Sequence, residues 1–156
     1  MTLDTRSFDL NRALPIAPEQ LWNIMTDPTH REKWGAPEEN MVLTVEKSDL
    51  KVGGQDRHRC GPAEAPEFVV ETRWYDLTAP TRAVFTETLL IQDNTLCTSL
   101  VTYSLVASDE GTQLGVTVAV SSFSGPETLD EFLEGWSGGL DNLERYTSQM
   151  NKTPKP

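Results

Sequence analysis

"PETLDEFLEGWSGGLDNLERYTSQM", residues 126–150, is the stretch on which the fold turns. Leu129, Leu133, Trp136, Leu140, Leu143, Thr147 and Met150 recur every three to four positions, with Phe132 and Tyr146 beside them. Asp130, Glu131, Glu134, Asp141 and Glu144 occupy much of the remaining surface, so the spacing predicts one long amphipathic helix. Gly138-Gly139 in its middle costs about 1 kcal/mol per residue against alanine. Either close packing against a neighbour or room for a ligand has to justify that pair.

Upstream of this helix the period is two. From Asn40 onward, "MVLTVEK", "QDRHRC", "EFVVETRWYDL", "RAVFTETLLI", "TLCTSLVTYSLVA" and "TQLGVTVAVSS" read as strands, separated by short Gly, Pro, Asn and Asp clusters that make neighbours antiparallel. Before them, "SFDLNRAL" alternates Phe8, Leu10 and Leu14 against polar residues. "APEQLWNIMTD" places Leu21, Trp22 and Met25 on one helical stripe with Pro18 early, and Pro28 ends that helix and opens a short second one through Lys33. The order is one strand, two small helices, six strands and a long helix: an α+β protein. A meander with one apolar face must curl around its only large partner, and the curl leaves a gap that is a candidate pocket. One domain is expected over residues 7–150, with flexible polar termini at 1–6 and 151–156.

Bulk properties exclude some functions. The 156 residues carry 24 acids against 13 bases, a net charge of −11, which repels phosphate backbones and anionic lipid. No apolar run is long enough to span a membrane, and "MTLDTRSFDLNRAL" contains no signal-peptide core, so a cytoplasmic protein is expected. Two cysteines (Cys60, Cys97) and two histidines (His30, His58) lack metal-ligand spacing. Gly53-Gly54 precedes a strand and opens no helix, so it is not a phosphate loop. No metal or other cofactor is expected. His30 is expected in an exposed loop.

The stretch "LKVGGQDRHRCGP", residues 50–62, carries the main chemical candidates. Asp56, His58 and Cys60 sit at every second position and therefore share one face of a strand. The residues alone leave open whether that face meets solvent or the interior.

The first strand, then "LPIAPEQLWNIMTDPTHREKW", "DLKVGG", "YDLTAPTRAVFTE", "GTQLGVTV" and "GWSGGLDNLERY", is similar in order and spacing to activator-of-heat-shock-ATPase-like proteins of the START-like, or SRPBCC, superfamily. The similarity runs from about Ser7 to about Tyr146. It implies the helix-grip fold: a curved antiparallel sheet of about seven strands wrapped around the C-terminal helix, with a cavity between them. It also implies that the row of Asp56, His58 and Cys60 points inward. Tyr75 and Leu77 match an inward apolar pair of the family, which would put Glu71 and Arg73 on the same side.

On that expectation the turn "GPAEAP" brings Asp56 and His58 near Glu71 and Arg73. One reading is a ligand-orienting or acid–base site, with His58 as base, Glu71 holding its tautomer, Arg73 meeting an oxyanion or carboxylate, and Asp56 tuning Arg73. The alternatives are compensated ion pairs at the cavity mouth, or a bulge that turns the row to solvent. Tyr103 and Cys97 belong on the inner face, Cys97 as a small buried residue. In the family's strand order Cys60 and Cys97 lie three strands apart, roughly 14 Å, so no disulfide is expected. Trp34 falls where the small helices cap the cavity mouth, as a lid or as ordinary packing. Trp136 faces the sheet close to the paired glycines.

The functional expectation is a small soluble protein, monomer or homodimer, that binds an apolar or aromatic molecule of lipid or polyketide type. Two alternatives stand beside it. One is a cyclase, dehydratase or hydrolase using His58 and Glu71. The other is a co-chaperone-like stress-response protein that contacts a chaperone.

Overall fold

A computed structural model describes residues 4–36 and 40–152. The chain runs β1 (Thr5–Leu14), α1 (Pro18–Thr26), α2 (Pro28–Trp34), β2 (Met41–Lys47), β3 (Gln55–Pro62), β4 (Phe68–Thr78), β5 (Arg82–Ile91), β6 (Asn94–Ser108), β7 (Gly111–Ser122) and α3 (Pro126–Lys152). All seven strands join one antiparallel sheet in the order β1-β7-β6-β5-β4-β3-β2. Six of the strands follow one another as a meander. β1 closes the far edge by pairing with β7, and the two small helices occupy the crossing to β2. This is the α+β helix-grip arrangement.

The strand boundaries extend two expectations. Thr5 and Arg6 pair with Ser121 and Val120, so β1 begins inside the segment expected to be flexible. Helix α3 likewise continues to Lys152. Asp4 accepts a hydrogen bond from the Ser122 N–H at 2.7 Å, and residues 1–3 and 153–156 of those expected termini lie outside the described residues. His30 stands on α2, not in a loop, and is half-buried, with Nδ1 hydrogen-bonded to the Tyr146 hydroxyl at 2.6 Å. The short helix packs on α3, which takes part of its histidine out of solvent.

Alternation decides which side chains make the core. Leu114, Val116, Val118 and Val120 of β7 and Val101, Tyr103 and Leu105 of β6 are buried on the inner face. Trp74 and Phe85 continue that face, their rings 4.9 Å apart, and Leu129, Leu140 and Leu143 meet the core from α3. Ile24 of α1 accepts a hydrogen bond from Trp34 Nε1 at 2.9 Å, which fixes the two small helices to each other. Asp27 caps α2 by accepting the Thr29 N–H at 2.7 Å.

Helix α3 is fastened along one side. Arg6 pairs with Asp130 at 2.6 Å, and Arg12 pairs with Asp141 at 3.1 Å and with Glu144 at 2.7 Å, so every ion pair of α3 with the sheet reaches β1 among the described residues. On the opposite side the helix stands over β2 to β5, and a space remains.

β4 contains the irregularity that matters most for the site. Trp74 pairs with Phe85 and Asp76 with Val84, leaving Tyr75 as an extra residue, a β-bulge. Leu77, opposite the buried Ala83, points inward as the resemblance implies. The bulge reverses the parity upstream, so Val70, Thr72 and Trp74 point inward while Glu71, Arg73 and Tyr75 are exposed.

Candidate functional site

A cavity of about 600 Å³ occupies the space between the sheet and α3. Apolar walls come from Met41 and Leu43 of β2, Phe68 and Val70 of β4, Leu89 of β5 and Leu96 of β6. Phe132 and Trp136 line it from α3, and Trp34 from α2. Gly135, Gly138 and Gly139 form the helix side between those rings. A Cβ added at Gly135 would meet nothing within 4 Å, whereas one at Gly139 would stand 3.9 Å from the Gly35 carbonyl oxygen. One glycine of the helix therefore opens space, and another sits where α2 ends against α3. Glycine thus leaves volume at Gly135, whereas at Gly139 a methyl would make only an ordinary contact with the end of α2.

Four polar side chains are embedded in this lining: Arg31, His58, Glu87 and Tyr103. Arg31 is only 9% exposed, and its Nε has no hydrogen-bond partner. Among the described residues no carboxylate lies within 4.0 Å of its guanidinium. Burial, reinforced by the Arg31 charge, takes the His58 imidazole down to about 3, so the ring is neutral at ordinary pH. Burial pushes the Glu87 carboxyl up to about 7, against the opposing pull of Arg31. The Tyr103 hydroxyl is raised by burial, lowered by Arg31 and raised again by Glu87. Burial and Glu87 also raise both thiols, Cys60 and Cys97, to about 11, which leaves them protonated and poorly nucleophilic.

The sheet register shows how these groups are set. Asp56, Thr72, Glu87 and Ser99 form one cross-strand row on the inner face. Directly opposed side chains in such a row have Cβ atoms about 5 Å apart. Glu87 thus stands between two buried hydroxyls, Thr72 Oγ1 and Ser99 Oγ, neither of which has a hydrogen-bond partner. The next row is His58, Val70, Leu89 and Cys97, so His58 sits diagonally from Glu87 across β4.

Of the residues singled out in the sequence, His58, Tyr103, Trp34 and Trp136 line the cavity, as does Cys60. Tyr103 meets Trp136 edge to face at 6.2 Å, and together they border the space without filling it. Trp34 is 4% exposed with its indole N–H bonded to Ile24, which makes it wall more than lid. Cys97 is buried on the inner face but does not border the cavity. Both cysteines are free.

Three placements differ from expectation, all for reasons of register. Glu71, Arg73 and Tyr75 are on the outer face because the bulge at Tyr75 shifts the alternation. There Glu71 lies 3.8 Å from Arg57, and the Arg73 guanidinium sits 5.2 Å from the centre of the Tyr75 ring. Asp56 is inward, yet its carboxylate is taken by the Asp49 N–H at 2.7 Å, so it secures the turn between β2 and β3. The Asp56–Arg73 and His58–Glu71 pairings do not occur. Sequence reading also missed Arg31 and Glu87. A signal for each existed: Arg31 precedes Trp34 by three on a short helix, and Glu87 follows Phe85 by two on a strand.

Among the described residues no cluster of His, Cys, Asp and Glu could hold a metal ion, and no helix is long and apolar enough to cross a membrane.

Comparison with known proteins gives a consistent outcome. The family model described as "Activator of Hsp90 ATPase homolog 1-like protein" matches residues 15–148. No curated protein matches the chain. Among solved structures, an uncharacterised protein of Rhizobium leguminosarum superposes with a TM-score of 0.81 at 18% identity, covering 95% of this chain and 97% of that one. The Mll3558 protein of Rhizobium loti gives 0.78 at 24% identity, with 93% and 99% covered. An AHSA1-like protein of Aeromonas hydrophila gives 0.75 at 22% identity, with 97% and 99% covered. At these identities the structural likeness speaks for the fold alone.

Proposed function

The chain belongs to the family of activator of Hsp90 ATPase homologue 1-like proteins, and from that premise we propose that it binds an apolar or aromatic small molecule between its sheet and α3. The observation that carries this reading is the cavity of about 600 Å³, with mostly hydrophobic walls and a helix side left open at Gly135. Pockets of a few hundred to about 1,000 Å³ with few convergent polar groups are the usual form of small-molecule sites. Burial at about 25 cal/mol per Å² of apolar surface would supply affinity, and the polar groups would orient the molecule. A cytoplasmic location goes with the reading, as do two free thiols.

Native mass spectrometry against a panel of fatty acids, sterols and aromatic polyketides tests it. Retention of an unaltered compound is expected, with loss of that retention in Gly135→Trp, whose indole would occupy the open helix side. Retention that survives in a folded Gly135→Trp protein, or no retention of any compound by the wild type, would overturn the assignment.

A second reading, catalysis in the same cavity, is favoured by one observation. The Glu87 carboxyl lies near 7, where a general acid or base works best. The reacting pair suggested by the sequence, His58 with Glu71, is not available, because Glu71 is exposed on the other face. Appearance of a product mass that disappears in Glu87→Gln would establish an enzyme. A chaperone contact, suggested by the family's name, would use the outer surface, and stimulation of a chaperone ATPase is its assay.

A further inference from the structure

We infer that the molecule held in this cavity is an organic acid, an apolar or aromatic body ending in one carboxylate or phenolate, and that Arg31 is the residue that anchors its acidic end. The inference rests on the small-molecule reading above and names the ligand class for it.

Three observations lead there. Arg31 lines the cavity, is more than nine-tenths buried, and leaves Nε without a partner. A guanidinium presents a planar fork of donors that matches a carboxylate, and it keeps its charge at any ordinary pH. Among the described residues its only acidic companion in the buried lining is Glu87, which stands more than 4.0 Å away. With Glu87 protonated, Arg31 is a buried cation without a counter-charge, which is unfavourable in a low-dielectric interior. An anionic group from a ligand removes that cost, while a neutral ligand of the same shape does not.

The surroundings then fix how the ligand lies. Glu131 and Glu134 of α3 also border the cavity but are exposed, so they mark its rim. Two carboxylates at the rim repel an anionic group there and favour its placement at the buried end. At that end the neutral His58 ring and the Tyr103 hydroxyl each offer a hydrogen bond, and the protonated Glu87 carboxyl offers another. The apolar body then fills the region bounded by Phe68, Leu89, Leu96, Phe132 and Trp136.

A bound anion competes with the ionised form of Glu87 for Arg31. The groups facing Glu87 are Arg31 from α2, Asp56, His58 and Cys60 from β3, Thr72 from β4, and Cys97, Ser99 and Tyr103 from β6, with Glu131 and Glu134 of α3 at the rim. Among these Arg31 is the one cation, and the Asp56 carboxylate, a strand beyond Thr72, is engaged by the Asp49 N–H. Binding an anion above about pH 7 should therefore draw a proton onto Glu87, whose carboxyl lies near that value when the site is free.

Matched ligands test the inference by isothermal titration calorimetry: naphthalene-2-carboxylic acid against its primary amide, and dodecanoic acid against dodecanamide, at pH 6 and pH 8. The wild type should bind each acid at least tenfold more tightly than its amide, and the preference should shrink from pH 6 to pH 8. Arg31→Gln should bring acid and amide to parity, with Arg31→Lys retaining part of the difference. Equal affinities on the wild type, or a preference that persists in folded Arg31→Gln, would overturn the inference and leave the small-molecule reading standing. Because the wild-type comparison alone decides the first point, a variant that fails to fold does not remove the test. Failure of every acid and amide to bind the wild type would instead remove the small-molecule reading, and this inference with it.

Discussion

His58 and Glu87 line one cavity, sit diagonally across β4, and are displaced by burial in opposite directions, the imidazole down to about 3 and the carboxyl up to about 7. In the unfolded chain the two groups take their ordinary values, 6.5 and 4.5. The folded state therefore keeps His58 unprotonated where the unfolded chain would charge it. That contribution is complete above pH 6.5 and is lost as pH falls toward 3. Glu87 does the reverse: its contribution is complete below pH 4.5 and is lost as pH rises through about 7. Between pH 4.5 and 6.5 the two slopes oppose each other, each at most about 1.4 kcal/mol per pH unit. Urea unfolding midpoints of the wild type should vary little across that window. Glu87→Gln should lose stability as pH falls from 6.5, and His58→Gln should gain stability as pH falls from 7 to 4.5. Parallel profiles for the two variants would contradict the assignment.

Gly135 and Gly111 should respond oppositely to alanine. At Gly135 the new methyl meets open space within a helix, so Gly135→Ala is expected to raise stability by about 0.8–1 kcal/mol. At Gly111 the backbone has φ +146°, and a Cβ would fall 2.2 Å from the Leu14 carbonyl oxygen, so Gly111→Ala should lower the melting temperature sharply. Differential scanning calorimetry on both variants checks the pair.

Asp56→Ala should weaken the fold without touching ligand selectivity. The substitution strips the Asp49 N–H of its acceptor, at an expected cost of about 1–3 kcal/mol. Acid-over-amide preference should survive unchanged in the folded variant. A lost preference would show that Asp56 reaches the ligand.

Arg73→Ala should leave the affinity of every ligand within a factor of about two, since the guanidinium lies over Tyr75 on the outer face of the sheet. Stability should also change little, by less than about 1 kcal/mol, because the interaction is exposed. Titration of an aromatic acid into this variant is the check.

The contrast between Arg73 and Arg31 shows what the sequence makes legible. Strand alternation and helical spacing lay out every element from β1 to α3, because period depends on neighbours along the chain. The inward facing of Asp56, His58 and Cys60 followed from family resemblance. The site is less legible for a different reason. A single inserted residue, Tyr75, reverses the facing of everything before it in β4, and no local pattern marks it: "ETRWYDL" alternates plausibly in either register. Glu87 needed the assumption that a carboxylate can continue the inward row of Ala83 and Phe85, a choice that composition argues against. Arg31 lies among Arg, Glu and Lys in "REK", where only the Trp34 three residues later separates a buried charge from solvated ones.

The one-sided fastening of α3 divides the molecule's constraints between different parts of the sequence. Among the described residues its ion pairs with the sheet all reach β1, and Leu140 and Leu143 are locked into the core shared with β6 and β7. The cavity is bordered mainly by β2 to β5, α2 and the glycines of α3. A substitution at Phe68, Leu89 or Met41 alters what fits, yet removes no contact that holds the helix to the β1 edge. Such a layout separates the residues that shape the cavity from those that hold the helix, so the shape of the space can change by few substitutions while the supporting half of the fold stays as it is.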